Sequence, residues 1–391
     1  MISQIHIKNF KSIVDLTLDL GRVNLFIGEN GSGKSNILEA VAFLSSASNI
    51  GIPNTDFVAK GVRVSKPELY SSAFTNEIHD IEISFLTDAH RIVTQYIFED
   101  LVDDTWRDIV SSGFSRKYRN FLIEYGAMIE FDELESNFIT EKIKIKAGVP
   151  AEISAKIIEE STEIQNYFTY RFYDYLTKYV IYSPEVSSLR NFEEEGQIRP
   201  LGAKGEGLFS LIKSLATDNG SLQHIKEHLE VIDWFEDFSI PNDLMSNEYK
   251  ISIKDRFINS DLKYLDQRSA NEGFLFLLFY IVLFSSKKTP QFFAIDNIEA
   301  SFNPKLCGKL INMLVDLSKK NSKQVLMTTH NPATLDGIDL NDPEQRLFVV
   351  RRNIDGHTIV TRIAEKPKIT TPMKLSEMWT KGLLGGLPDN F

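Results

Sequence analysis

Gly28-Glu29-Asn30-Gly31-Ser32-Gly33-Lys34-Ser35 is the stretch on which the reading of this chain turns. Before it runs Val23-Asn24-Leu25-Phe26-Ile27, an apolar run of the kind that fills a buried strand. After it, from Asn36 to Leu44, apolar residues recur at helical spacing. Strand, glycine loop and helix in this order form the context that a phosphate-binding P-loop requires. Glycines let the main chain fold around phosphates with several N–H groups pointing inward, and the helix that starts there adds the positive end of its dipole. Gly28, Glu29, Asn30, Gly31, Ser32, Gly33 and Asn36 are therefore expected to line a nucleotide's phosphates. Lys34 is expected at the β- and γ-phosphates, with the Ser35 hydroxyl on Mg²⁺. A chance match in a glycine turn is the competing reading, and the flanking strand and helix weigh against it.

A second half of the site is expected downstream. Residues Gln291 to Pro304 read QFFAIDNIEASFNP, an apolar strand from Phe292 to Ile295 ending in Asp296. This is the pattern by which a P-loop enzyme places an acid at the carboxyl edge of its sheet to hold the Mg²⁺ shell. Farther on, Gln324 to Asn331 reads as another apolar strand, ending in His330. Both strands would deliver their last residue to the edge that carries the phosphate loop.

The rest of the chain is less decisive. Ile5 to Ile7 and Asp15 to Leu20 read as short strands, and the alternation in Ile81–Phe85 and Ile92–Ile97 suits antiparallel strands. From Asp103 to about Tyr179 the chain is rich in Glu, Lys, Tyr and Phe at helix-like spacing, with a helix start at Val149-Pro150-Ala151-Glu152. A mainly helical insertion is expected there, too short and irregular for a long coiled coil. It holds a basic cluster, Arg116, Lys117, Arg119, Lys142, Lys144 and Lys146, read either as solvated faces or as a contact for DNA, RNA or a protein partner. Leu201 to Leu215 reads as a glycine loop before an amphipathic helix, without the Lys-Ser/Thr of a second phosphate loop. His224 and His228 share a helix face but lack further metal ligands, so an exposed helix is preferred.

Composition narrows the class. The chain has 391 residues, 42% of them hydrophobic and 25% charged, which is the balance of a folded globular protein. Its 43 Lys and Arg against 54 Asp and Glu give a net charge of −11, a poor basis for coating nucleic acid with the whole surface. The single cysteine, Cys307, excludes an internal disulfide, and the amino terminus has no apolar signal core, so the cytoplasm is expected. The most apolar run, Phe274 to Phe284, is well short of the roughly twenty residues of a membrane helix and reads as a buried helix.

GENGSGKSN near the start, a strand running into D-x-x-E-x-x-x-N-P and a strand running into TTHNP together resemble the ATP-binding-cassette (ABC) ATPases of the soluble kind. RecF, SMC and especially the overcoming-lysogenization-defect (OLD) group of bacterial antiphage systems, whose members are AAA family ATPases, are the relatives suggested. The resemblance implies an α/β P-loop NTPase with an ABC-type head and an inserted helical subdomain. Its parts would be a lobe with the P-loop (1–100), the insertion (101–260) and a lobe with the remaining motifs (261–391). It also implies that Ser269-Ala270-Asn271-Glu272-Gly273 stands in the place of the family's signature loop. Asn271, Glu272 and Gly273 would then face the γ-phosphate held by a second subunit, in a head-to-tail dimer or higher oligomer closing over ATP. His330 would sense the γ-phosphate, and Ser301 to Asn303 would cross the interface. The glutamine of the family's Q-loop is not located.

The chain departs from the family where the residue after the metal-binding Asp is normally a catalytic Glu. Here it is Asn297, whose amide orients water but cannot act as a general base. Glu299, on a strand-like continuation that shares a side with Asn297, is the candidate replacement. Three functions remain open: an ATPase that gates a separately encoded effector such as a nuclease or toxin in antiphage defence, a nucleotide-gated scaffold with little turnover, or a DNA repair ATPase of the RecF kind. The 61 residues after His330 leave no expected room for a fused nuclease.

Overall fold

The computed structural model describes residues 1–47, 54–63, 69–72, 74, 81–87, 91–100, 105–113, 127–133, 138–145, 173–192, 200–216, 219–241, 249–258, 264–367 and 372–387. Along the chain come β1 (Ile2–Phe10), β2 (Ile13–Asp19), β3 (Val23–Gly28), α1 (Lys34–Ala47), α2 (Asn54–Ala59), β4 (Ile81–Thr87) and β5 (Arg91–Asp100). Then follow β6 (Thr105–Gly113), β7 (Ala127–Glu133), β8 (Phe138–Ile145), α3 (Tyr173–Thr177), β9 (Ile181–Tyr182), α4 (Val186–Arg190), α5 (Leu208–Leu215) and α6 (Asn219–Leu229). The last part holds β10 (Phe235–Ser239), β11 (Ser252–Asp255), β12 (Leu265–Asp266), α7 (Glu272–Ser285), β13 (Phe292–Ile295) and α8 (Pro304–Lys320). It closes with β14 (Gln324–Thr329), a 3-10 turn at Pro332–Gly337, β15 (Gln345–Arg352), β16 (Thr358–Ile363) and α9 (Leu375–Thr380).

The six-stranded sheet that carries the site has the order β16-β15-β3-β14-β13-β9. β3 pairs in parallel with both β14 and β15, so it sits in the middle with its carboxyl end beside theirs. A strand in that place must be apolar on both faces, which explains why all six residues of β3 are buried. Val23, Leu25 and Ile27 enter a core built around α7 and α8, whereas Phe26 enters a second core built around α1. The helix α7 is apolar on every side because it lies inside the first core, where Phe274 through Phe284 are all buried. Each such side chain stabilises the fold by roughly 2 kcal/mol on removal from water.

A second sheet, in the order β2-β1-β4-β5-β6-β8-β7, closes over the other side of α1. Ile5 and Ile7 of β1 and Ile83 of β4 share a core with Ile37, Leu38 and Val41 of α1. The helix that follows the glycine loop is thereby held between two sheets. A small third sheet, β10-β11-β12, packs Phe235, Phe238 and Ile253 against the core of α7. Among the described residues no helix is long and apolar enough to cross a membrane.

One expectation is corrected here. The span from Asp103 was read as mainly helical, but its described residues up to Ile145 are the strands β6, β7 and β8, which continue the sheet of β1, β2, β4 and β5 across residue 100. The period was the better guide: Ile143-Lys144-Ile145 alternates, as a strand does, while the Glu and Lys content suggested helix. Val149 to Glu152, Arg116, Lys117, Arg119 and Lys146 lie outside the described residues. Lys142 and Lys144 lie on β8. The helices expected at Leu201–Leu215 and around His224 are present as α5 and α6.

Candidate functional site

β3 ends at Gly28 beside Val350 of β15, and a Cβ on Gly28 would lie 2.1 Å from the Val350 carbonyl oxygen, so only glycine fits. The chain then loops through Glu29 to Gly33 and enters α1 at Lys34. Gly33 has a φ of +104°, and a Cβ there would lie 2.0 Å from Thr358 Oγ1. Both constraints come from close packing of the loop against the β15–β16 hairpin.

That packing is polar as well as steric. Thr358 Oγ1 donates to the Ser32 carbonyl at 2.9 Å, and Arg352 Nε donates to the Gly31 carbonyl at 2.7 Å. Ser12, in the turn between β1 and β2, lies 2.6 Å from Thr358 Oγ1 and accepts from Asn36 Nδ2 at 2.7 Å. Asn9, near the end of β1, and Lys11, in this turn, are held at positive φ (55° and 50°). The Lys11 ammonium pairs at 2.5 Å with the Glu39 carboxylate of α1, which also takes Arg63 at 2.7 Å. The loop is thus fixed from two sides before any ligand arrives. Above Gly31 there is open space, with no heavy atom within 4 Å of where its Cβ would stand.

The Lys34 side chain is almost fully buried, and its Nζ donates to the carbonyls of Gly28 at 3.0 Å and Glu29 at 2.8 Å, with His330 Nδ1 at 3.4 Å. Burial lowers its pKa from 10.5 to about 8, although Asp296, Glu299 and Glu29 pull it upward. Ser35 Oγ donates to Asp296 Oδ2 at 2.9 Å. Thr328 Oγ1 donates to Asp296 Oδ1 and accepts the Asn297 N–H at 2.9 Å. A hydroxyl and a carboxylate in direct contact at the start of a helix are the hard oxygen donors that Mg²⁺ takes, with water and phosphate oxygens for the rest of its shell. Ser35 and Asp296 therefore fit that ion.

The chain does not run on as a strand after Asp296. Asn297 has a φ of +58° and is exposed, and the segment turns at once, Ile298 N–H donating to the Thr328 carbonyl at 3.0 Å. The expectation that Glu299 shares a strand face with Asn297 is thus corrected; the left-handed residue, a conformation Asn tolerates better than most, reverses the chain. Glu299 instead points toward His330, whose N–H donates to Glu299 Oε1 at 2.7 Å. Its other oxygen, Oε2, is buried without a hydrogen-bond partner, as is Ser32 Oγ. Burial, then the nearby Lys34 ammonium, lowers the His330 pKa and so favours the neutral ring, against the opposing pull of Glu299 and Asp296.

Lys34, Ser35, Asp296, Glu299 and His330 come together at the carboxyl edge of β3, β13 and β14. Asn271, Glu272 and Gly273 do not join them. They start α7, where Asn271 Oδ1 accepts the Phe274 N–H at 2.8 Å as a helix cap. They line a cavity of about 540 Å³ together with Trp234, Ser301 and Asn303, and no P-loop residue lines it. Ser301 Oγ donates to Glu272 Oε2 at 3.2 Å, and Asn303 caps α8. Sequence reading missed Thr328, Ser12, Thr358 and Arg352. Thr328 stood in the quoted strand, two residues before His330; for the other three no local signal exists, because Ser12 and Thr358 are 346 positions apart.

The family described as "AAA domain, putative AbiEii toxin, Type IV TA system" matches residues 23–336. The DNA replication and repair protein RecF of Lactococcus lactis subsp. cremoris is 49% identical over 45 residues, 11% of this chain and 12% of that protein. The DNA double-strand break repair Rad50 ATPase of Thermoplasma volcanium is 35% identical over 85 residues, 21% of this chain and 9% of that protein. The matches span between 9% and 22% of the length of the curated relatives. Among solved structures, an SmcHead bound to the C-winged helix domain of ScpA superposes with a TM-score of 0.56 at 13% identity, covering 93% of this chain and 98% of that one, a likeness of fold. The chain belongs to the AAA-domain family matched over residues 23–336, with stretches similar to RecF and Rad50 and a fold like that of an SMC head, an ABC-type ATPase head.

Proposed function

We propose that the chain binds Mg²⁺–ATP at the P-loop, closes head to tail with a second copy over two nucleotides, and passes that closure to a separately encoded effector. The observation that carries the reading is the meeting of Lys34, Ser35–Asp296 and Glu299–His330 at one sheet edge. Lys34 would hold the β- and γ-phosphates, and Mg²⁺ would sit on Ser35 and Asp296 and offset phosphate charge. Glu299 is the group offered as general base: its Oε2 has no partner to give up, and its Oε1 is steadied by the His330 N–H. Asn297 would orient the attacking water, and His330 would meet the γ-phosphate.

Asn271, Glu272 and Gly273 would meet the nucleotide of the second copy, where the dipole of α7 favours a phosphate. The family description, which names a putative toxin of a type IV toxin–antitoxin system, favours a role in defence over DNA repair. The test is phosphate release with Mg²⁺–ATP, read against protein concentration. Turnover that rises with concentration and disappears in Lys34→Ala supports the proposal, and absence of turnover at every concentration contradicts the hydrolytic part. A second reading, a clamp that binds ATP and hardly turns it over, is favoured by Asn297 alone. It predicts that Asn297→Glu raises turnover strongly.

A further inference from the structure

Of the side chains that α7 buries from Phe274 to Phe284, Tyr280 alone carries a polar atom. The residue is fully buried, and its hydroxyl makes no hydrogen bond to any described residue. A desolvated O–H is costly to leave unpaired, so a buried tyrosine usually has a partner. Phenylalanine fills positions 274, 276, 279 and 284 of the same helix, so packing alone does not call for the oxygen.

The packing around the ring leads to Glu299. Tyr280 lies against Phe302, with ring centroids 6.1 Å apart, and the Phe302 N–H donates to the Glu299 carbonyl at 3.1 Å. The first turn of α7 meets the same segment: Ser301 Oγ donates to Glu272 Oε2 at 3.2 Å, and a Cβ on Gly273 would lie 3.3 Å from the Ser301 carbonyl oxygen. The helix and the turn that carries Glu299 therefore form one packed unit. Within it Glu299 Oε2 is buried without a partner, while Oε1 takes the His330 N–H. An unpaired donor and an unpaired acceptor thus share the unit. Burial first, and the Glu299 charge second, raise the pKa of the Tyr280 hydroxyl, so the phenol feels the carboxylate and keeps its proton as a donor. The Cys307 thiol, pushed up to about 11 by burial and then by Glu299, feels that charge too. Its S–H is a weak donor, and its sulfur already accepts from Asn331 Nδ2 at 3.6 Å.

We propose that Tyr280 is a positioning residue for Glu299: on closure against a second copy its hydroxyl donates to Glu299 Oε2 and fixes the carboxylate toward the attacking water. The inference rests on the reading of Glu299 as the general base. A carboxylate has about four lone-pair sites, so bonds from the His330 N–H and the phenol leave one on each oxygen for the water. No hydrogen bond joins Tyr280 and Glu299 in this structure, and α7 is the element that closure would press. It begins at Asn271–Gly273, the residues placed above against the second copy, and it is tied to the Glu299 turn through Glu272–Ser301 and Tyr280–Phe302. Tyr280 would thus make the aim of the base depend on the closed dimer.

The test uses the full chain, Tyr280→Phe and Glu299→Gln, each measured for kcat of phosphate release, for Mg²⁺–ATP affinity and for melting temperature without nucleotide. Tyr280→Phe keeps the ring and removes only the unpaired oxygen, so the variant folds. Its kcat should fall about tenfold, the loss of one hydrogen bond to a charged group, while ATP affinity and melting temperature do not fall. A structural role for the hydroxyl would move the melting temperature and could not produce that split. Unaltered kcat in Tyr280→Phe overturns the proposal, as does a joint fall of kcat, affinity and melting temperature. Turnover that persists in Glu299→Gln, or that is absent from the unaltered chain, removes the base reading itself, an outcome distinct from a working Glu299 that is indifferent to Tyr280.

Discussion

Raising the pH from 7 to 9 should weaken nucleotide binding about tenfold, and Lys34 is the reason. In the free protein the burial of this ammonium lowers its pKa to about 8. Phosphates reward only the charged form, so in the complex the proton stays on. Binding above pH 8 must therefore first restore the proton. With a pKa of about 8, roughly 90% of the sites are charged at pH 7 and roughly 10% at pH 9, a loss of about 1.4 kcal/mol in apparent affinity. The ligand adds little slope, because the second pKa of a phosphate lies near 6. Titration of a fluorescent ATP analogue at pH 7, 8 and 9 with saturating Mg²⁺ measures it. Lys34→Arg, which stays charged throughout, should bind more weakly at pH 7 but lose the slope. A flat affinity from pH 7 to 9, or the same slope in Lys34→Arg, would refute the reasoning.

The free protein should respond in the opposite sense. Lys34 and Lys323 both have folded pKa values below the unfolded 10.5, at about 8 and about 7, each lowered by burial. The unfolded chain then holds more protons between those values and 10.5, so thermal stability without nucleotide rises with pH from about 7 toward 10. A melting temperature that falls steadily from pH 7 to 9 contradicts this. Lys323→Met should cost about 3 kcal/mol in denaturant unfolding, because Nζ serves four acceptors, on Ser286, Thr289 (carbonyl and hydroxyl) and Pro290, at the end of α7. Thr358→Val removes the bond to the Ser32 carbonyl and should lower stability by about 1 kcal/mol and nucleotide affinity severalfold. Unaltered ATP affinity in that variant would show that the loop needs no such strap. Glu299→Gln should abolish phosphate release while leaving ATP binding intact, and persistent turnover would assign the base elsewhere.

What could be read in advance was the part of the site built from contiguous residues. The apolar runs Val23–Ile27, Phe292–Ile295 and Gln324–Thr329 had to be buried parallel strands, and each delivers its motif to the carboxyl edge where it is found. The P-loop glycines were legible for the same reason, since the loop and its strand are neighbours in the chain. The straps were not. Arg352 and Thr358 reach Gly31 and Ser32 across more than 300 residues, and nothing near them marks the contact. Glu299 was expected to share a strand face with Asn297 but lies against the His330 N–H, because the left-handed turn at Asn297 depends on Thr328 in another strand. Strands β6 to β8 were misread because charge content was given more weight than alternation.

Equilibrium binding of ATP with and without Mg²⁺, to the unaltered chain, Lys34→Ala and Asp296→Ala, tests the central claim most directly. The account predicts saturable binding to the unaltered chain that Mg²⁺ strengthens, loss of binding in Lys34→Ala, and loss of only the Mg²⁺-dependent part in Asp296→Ala. Binding that persists undiminished in Lys34→Ala would contradict it.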